Sequence, residues 1–209
     1  MGRGKFITIE GIEGVGKSTN IDFLSQLIED NGFSVVRTRE PGGTPTAERI
    51  RDLLLEHGDE PMTDIAELLL FFAARSLHIS NAIRPALDAG QWVVCDRFTD
   101  ASRAYQGQGR GLDQGTIDVL AKWVTEELQP DLTILLDAPA EVGMDRAGRR
   151  GDTNRLDLEQ ADFYTRVRKG YLALADSEPE RFAVIDASQP LDRVQAAIGD
   201  IVNRLFDNT

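Results

Sequence analysis

The chain has 209 residues, 41% of them hydrophobic, which suits one globular domain with a real core. Its net charge of −12 excludes nucleic acid and anionic membranes as general partners, and two histidines with one cysteine argue against a zinc site and an intrachain disulfide. No apolar run is long enough to cross a bilayer and no signal-like segment precedes the first strand, so a cytoplasmic location is expected.

The first strand is expected at Phe6–Glu10, a continuous apolar run of the kind buried on both faces. It leads into residues 11–19, "GIEGVGKST", which fit the pattern G-x-x-x-x-G-K-[S/T]. The glycines let backbone N–H groups turn toward phosphate oxygens, at the start of a helix that favours negative charge. Lys17 reaches the β/γ-phosphates and the Ser18 hydroxyl can bind Mg²⁺. A helix is expected over 17–31, because Ile21, Leu24, Leu27 and Ile28 share a face and Asn31-Gly32 stops it. That context, strand before and helix after, argues against a glycine turn with no ligand.

A second strand at 34–38 runs into "TREPGGT", which puts Arg39 at a strand's carboxyl end beside a Pro-Gly-Gly turn. Helical patterns follow at 47–57 and 64–89, and Pro85 is expected to bend or split the latter. Within it, "LLLFFAARSLH" sets Phe71 and Arg75 four apart, on one face. A flat ring beside a cation is one way to hold a base, by stacking its face and hydrogen-bonding its edge. A core phenylalanine with a surface arginine is the commoner origin of such a pair. The third strand, 92–95, opens "CDRFTDASRAYQGQGR". Asp96 and Arg97 are adjacent charges ending an apolar strand, which is costly without partners. Asp96 is placed to order Mg²⁺ waters and Arg97 to clamp a phosphate; a local ion pair between them is the plainer alternative.

Helices at 114–127, 140–149, 159–176 and Leu191–Phe206, with strands at 132–136 and 182–185, complete the alternation. It implies an α/β fold, a five-stranded parallel sheet flanked by helices on both faces. Ligands in such sheets gather at the carboxyl ends of the strands. The chain has 19 arginines against 4 lysines, an excess that codon usage explains, so only arginines inside motifs count as evidence.

"TREPGGT", "FFAARSLH", "DRF" and "AYQGQGR", together with the phosphate loop and in this order and spacing, resemble bacterial thymidylate kinases, of the P-loop nucleoside monophosphate kinase family. The resemblance runs on through "RVRKGY" and the final "VIDAS". It implies a P-loop NTPase-type three-layer fold, a single kinase domain over 1–209 with a small mobile lid, and a homodimer. It implies transfer of the γ-phosphoryl group of ATP to dTMP, giving dTDP and ADP on the way to dTTP, with Mg²⁺ as cofactor.

By this resemblance Gly11, Ile12, Glu13, Gly14, Val15, Gly16, Lys17, Ser18 and Thr19 would hold ATP, and Ser18 and Asp96 the metal. Arg39, Arg51 and Arg97 would hold the dTMP phosphate, and Pro41 would belong to the substrate-binding set. Phe71 would stack on thymine, Arg75 would reach a ring carbonyl, and Ser102 and Gln106 would sit by the base. Tyr105 would crowd the sugar where a ribonucleotide carries its 2′-hydroxyl, and Glu13 would approach the 3′-hydroxyl. Residues 145–155, "DRAGRRGDTNR", resemble the lid and carry Arg146, Arg149, Arg150 and Arg155. Some thymidylate kinases place an arginine inside the phosphate loop; here Glu13-Gly14-Val15 stand in that place. A lid arginine is therefore expected to stabilise the transferring group, Arg149 and Arg150 first, since they end a predicted helix beside Gly151. The catalytic set is then Lys17, Asp96, Arg97, Arg149 and Arg150. Asn154, where an aspartate is more usual, and Arg103, where a smaller polar residue is typical, depart from the family pattern. The rivals are a kinase of another nucleoside monophosphate or of a deoxynucleoside, and a GTP-dependent switch. The paired acceptor motifs argue against the first, and the absence of N-K-x-D argues against the second.

Overall fold

Five parallel strands, β1 (Phe6–Glu10), β2 (Val35–Arg39), β3 (Trp92–Asp96), β4 (Leu132–Asp137) and β5 (Phe182–Asp186), form one sheet in the order β2-β3-β1-β4-β5. This is a computed structural model, and it describes residues 2–56, 60–148 and 160–206. The sheet is the one expected, but β2 to β5 each reach one residue further at the carboxyl end, taking in Arg39, Asp96, Asp137 and Asp186. Side chains alternate across a strand. Ile7 and Ile9 of β1 therefore join one core layer with Leu24, Ile28, Val194 and Ile198, while Phe6 joins the other with Ile79, Ile83, Val93 and Cys95. Each such side chain, fully buried, contributes about 1.5–3 kcal/mol, so β1 is anchored from both sides and its last residues have little freedom.

Helix α1 (Lys17–Asp30) starts after Gly16, whose φ of 89° is left-handed, and no side chain caps its first turn. The orphan N–H groups of that turn are thus open toward the cleft side of the loop. Helix α2 (Pro45–Leu55) begins where Thr44 accepts the Ala47 N–H, and α3 (Asp64–His78) where Thr63 accepts the Ala66 N–H. The helix expected over 64–89 is split ahead of Pro85, as anticipated. A π-helical turn, Ile79–Ile83, joins α3 to α4 (Arg84–Asp88), and the Arg84 N–H reaches Ile79 O five residues back. Proline offers no N–H to the preceding turn, and the wider turn absorbs the mismatch.

Residues after β3 are more helical than the sequence suggests: α5 (Thr99–Ser102) continues into a π-helical turn, Arg103–Gly109. The remaining helices are α6 (Gln114–Thr125), α7 (Ala140–Gly148), α8 (Ala161–Ser177) and α9 (Leu191–Phe206). Helix α8 packs directly on Arg103–Gly109, close enough that a Cβ on Gly109 would stand 2.7 Å from the Phe163 ring. Among the described residues, no helix is long and apolar enough to cross a membrane.

Candidate active site

The ends of β1, β2 and β3 open into one cleft of about 1040 Å³, walled by the phosphate loop, α2, α3 and the segment after β3. The loop leaves β1 at Gly11, with φ of 138°, where a Cβ would stand 2.5 Å from Leu136 O of β4. Only glycine turns there so close to a neighbouring strand. Ile12 and Val15 send their side chains into the core, so they can meet a nucleotide only through their backbone. Glu13, Gly14, Gly16, Lys17, Ser18 and Thr19 line the cleft. Lys17 Nζ donates to Gly11 O at 3.3 Å and Ile12 O at 2.9 Å. Burial, and then repulsion from Arg97, lowers the Lys17 pKa to about 8.

At the end of β3 the chain turns sharply. Arg97 has a φ of 70°, a conformation few non-glycine residues adopt. It is held by the Arg97 N–H on Ile9 O at 3.0 Å and the Phe98 N–H on Glu10 Oε1 at 2.7 Å. Glu10 is fully buried and also accepts the Tyr171 hydroxyl at 2.7 Å. Burial first, then the Asp100 charge, pushes its pKa up to about 8. The Arg97 guanidinium donates to Glu13 Oε1 at 2.8 Å and lies over the Tyr105 ring at 4.5 Å. The plain ion pair with Asp96 is therefore not what forms. Tyr105 donates to the other Glu13 oxygen at 2.7 Å. Asp96 Oδ1 is buried without a hydrogen-bond partner in the structure.

Two more arginines face the cleft beside Arg97. Arg39 pairs with Glu48 at 2.8 Å, and Arg51 donates to Pro41 O at 2.9 Å. Burial, and next the Arg39 charge, depresses the Arg51 pKa. Cations gathered this closely suit a dianionic phosphate, which takes several guanidinium forks at once.

At the far end Phe71 and Arg75 both line the cleft, as expected from their spacing. The arginine is not a surface residue: it is 2% exposed. Its Nε donates to Glu40 Oε2 at 2.6 Å, Nη1 to Ser102 Oγ at 3.1 Å and Nη2 to Phe98 O at 2.9 Å. The rings beneath its guanidinium are Phe72 and Phe98, at 4.7 and 5.5 Å, so Phe71 is not its stacking partner. Phe72 belongs to the core with Leu68, Ile117 and Ala121, while Phe71 is half-buried at the cleft. Glu40 also bonds His78 Nδ1 at 3.0 Å, and His78 Nε2 bonds Thr38 Oγ1 at 2.6 Å. Gln106 donates to Glu67 at 3.0 Å. Arg103 turns away from the cleft to Asp118 at 2.8 Å and Asp100 at 3.3 Å. Arg146 lines the cleft and donates to Ala187 O at 2.9 Å. Arg149, Arg150, Asn154 and Arg155 lie outside the described residues.

Glu10, Glu40, Glu67 and Tyr171 are functional neighbours that sequence reasoning missed. The signal for Glu10 and Glu67 was the one used for Asp96, a charge inside an apolar run.

The family model described as Thymidylate kinase matches residues 9–198. The chain is 54% identical over 203 residues to the thymidylate kinase of Methylococcus capsulatus, covering 97% of each. It is 56% identical over 197 residues to that of Chromohalobacter salexigens, covering 93% of each. The crystal structure of thymidylate kinase from Ehrlichia chaffeensis superposes with a TM-score of 0.75 at 34% identity, over 96% of this chain and 99% of that one. With its phosphate loop and its arginine-lined cleft, the chain belongs to the thymidylate kinase family, which phosphorylates dTMP to dTDP with ATP.

Proposed function

We propose that the whole chain, 1–209, is one kinase domain that carries out this reaction inside the cleft, with the donor at the phosphate loop and the acceptor between α2, α3 and the segment after β3. The observation that carries the assignment is the meeting of Arg39, Arg51 and Arg97 in the same cleft as the start of α1. Residues 11–19 hold ATP, mostly through backbone N–H groups and Lys17. The three arginines hold the dTMP phosphate, and Pro41, whose carbonyl accepts from Arg51, lines the acceptor site beside them. Phe71 stacks on thymine, Arg75 uses its remaining N–H groups on a ring carbonyl, and Ser102 and Gln106 border the base. Tyr105 and Glu13 pack against the sugar.

An acceptor phosphate oxygen is already a nucleophile, so the reaction asks for alignment and charge neutralisation rather than a strong base. Lys17 and Arg97 supply fixed positive charge where it develops. The residues fit a Mg²⁺ ion: Asp96 Oδ1 is buried and unpartnered, and Ser18 lies exposed in the same cleft. Ser18 and Asp96 would hold the ion, which would supply positive charge to the phosphates of the donor. Residues 145–155 form the lid, with Arg149 and Arg150 as its catalytic cations, and closure excludes water. A homodimer is supported by Ile65 and Leu69 on α3 and Val119 and Trp123 on α6, all exposed on helices that contact each other. A cytoplasmic location accords with ATP and dTMP as substrates.

The test is a nucleotide panel with ATP and Mg²⁺. dTMP yields dTDP, dUMP is poorer by roughly 10–200-fold for the missing methyl, and purine monophosphates are poorer still. A preference for AMP, GMP or CMP over dTMP overturns the acceptor assignment.

A further inference from the structure

Helix α3 presents three residues at four-residue intervals, Glu67, Phe71 and Arg75, on the side that faces the cleft and the segment after β3. Phe71 and Arg75 have roles above. Glu67 has none, although it is 1% exposed, and a charge is buried that deeply only with partners. Its partners include Arg110 and Gln106. Arg110 donates to Glu67 from Nε and Nη2, both at 3.2 Å, and Gln106 Nε2 donates to Glu67 Oε1 at 3.0 Å.

A carboxylate paired with a guanidinium only accepts hydrogen bonds, whereas an amide has one donating end and one accepting end. Glu67 therefore leaves the Gln106 amide a single orientation, nitrogen toward α3. The oxygen must point the other way. It has no hydrogen bond among the described residues, it is not among the sealed unpartnered atoms, and Gln106 lines the cleft. The group offered at the base end is thus an acceptor. Thymine and uracil carry a donor, N3–H, on their pairing edge, where cytosine carries a bare nitrogen. Arg75, which only donates, independently suits a ring carbonyl rather than an exocyclic amine.

We propose that Glu67 determines specificity by positioning: it fixes the Gln106 amide so that its oxygen meets the pyrimidine N3 edge, and it thereby selects bases with an N3–H over cytosine. The inference rests on the reading that this end of the cleft takes the base of the acceptor nucleotide. It assigns discrimination to a residue that need not touch the nucleotide.

The experiment measures kcat/KM for dTMP and dCMP in the full-length protein carrying Glu67→Gln, Glu67→Asp, Gln106→Leu, and Glu67→Gln with Gln106→Leu. A glutamine at 67 offers both a donor and an acceptor, so the Gln106 amide becomes free to flip. The dCMP/dTMP ratio then rises about tenfold to a hundredfold, the worth of one base-edge contact. Glu67→Asp, which still only accepts, keeps the ratio within a few-fold of the unmodified protein. In the Gln106→Leu background, Glu67→Gln changes the ratio no further, because the two residues act as one unit. A ratio is independent of the fraction of protein that is folded, so general destabilisation does not imitate the result. An unchanged ratio in Glu67→Gln, or an equal change with and without Gln106, overturns the proposal. If Gln106→Leu alone leaves the ratio untouched, the base-pocket reading has failed as well. Should Glu67→Gln not fold, ¹⁵N-labelled unmodified protein decides: the Gln106 amide protons show NOEs to the Glu67 side chain in the dTMP complex, and NOEs to thymine instead overturn the proposal.

Discussion

From the base end of the cleft to the acceptor phosphate, four polar side chains are held by protein carboxylates: Arg75 by Glu40, Gln106 by Glu67, and Tyr105 and Arg97 by Glu13. At the phosphate end, Lys17 bonds carbonyls of its own loop, Asp96 Oδ1 is unpartnered, and α1 starts without a side-chain cap. One end is a set of donors and acceptors whose orientation is fixed by the protein alone. The other keeps polar groups that the described residues leave partly unsatisfied, and in the proposed reading a triphosphate with its metal would satisfy them. Reading a base calls for fixed orientation, because donor and acceptor patterns are the information. Stabilising a transferring phosphoryl group calls for charge, and charge held in reserve serves that purpose. Substitutions at the phosphate end should therefore reduce turnover, and substitutions in the carboxylate frame should change selectivity or stability first.

The sharpest break of this contrast lies in the proposed lid. The phosphate loop contributes Lys17 as a cation and Glu13 as an opposing charge, so a further cation must come from elsewhere. Neutralising both Arg149 and Arg150 lowers the chemical step by about 10³-fold or more, the low end for a catalytic arginine. Single-turnover kinetics reads this, and calorimetry reads dTMP affinity, which barely changes because Arg39, Arg51 and Arg97 remain. Unchanged chemistry would make the segment a solvated loop, and lost dTMP affinity would move the pair to the acceptor site. Next in size is Lys17→Ala, expected to lower kcat by roughly 10²–10³-fold with dTMP binding intact. Near-normal turnover in that folded variant would mean that the phosphate loop is not the donor site.

The contrast also explains what the sequence made legible. β1, β3 and β4 could be read because each is a short apolar run buried on both faces, and β2 and β5, partly exposed at the sheet edges, from their Val and Ile content. Their order, β2-β3-β1-β4-β5, could not, since nothing local encodes which strand lies beside β1. Residues 99–109 did not read as helix, because Gly107 and Gly109 are poor helix formers. Their winding comes from α8, which packs so close that a Cβ on Gly109 would meet Phe163. At the site, many of the residues that line the cleft stood out as motifs. The carboxylates behind them did not, because their partners are set by tertiary approach: Gln106 meets Glu67 across 39 residues, and Tyr171 meets Glu10 across 161. Phe71 and Phe72 show the limit of spacing arguments. Helical periodicity put Phe71 on the face of Arg75, yet the neighbouring ring is the one that Arg75 covers.

The smallest expected effect on turnover tests the joint between the two ends. Glu10 accepts the Phe98 N–H, which fixes the turn carrying Arg97, and the Tyr171 hydroxyl, which lies 3.4 Å from Arg97 Nη1. It belongs to the carboxylate frame, but burial keeps its pKa near about 8 against an ordinary 4.5. The sign follows from linkage. Across that interval the folded chain holds a proton that the unfolded chain releases, so unfolding is favoured increasingly as pH rises. Below about 4.5 both states are protonated, and above about 8 both are ionised, so the slope is confined between these values. Glu10→Gln removes the ionisation and keeps an oxygen for the Phe98 N–H. Its unfolding free energy relative to the unmodified protein should therefore climb between pH 5 and pH 8 and then level off. Urea titrations at matched protein concentration, at several pH values across that range, measure it. With dTMP and ATP saturating, kcat at pH 7 should fall by less than about tenfold, because Arg97 keeps Glu13 as its partner. Parallel stability curves would mean that Glu10 is ionised in the fold, and that Arg97 is then aligned by a buried charge rather than by a neutral acid.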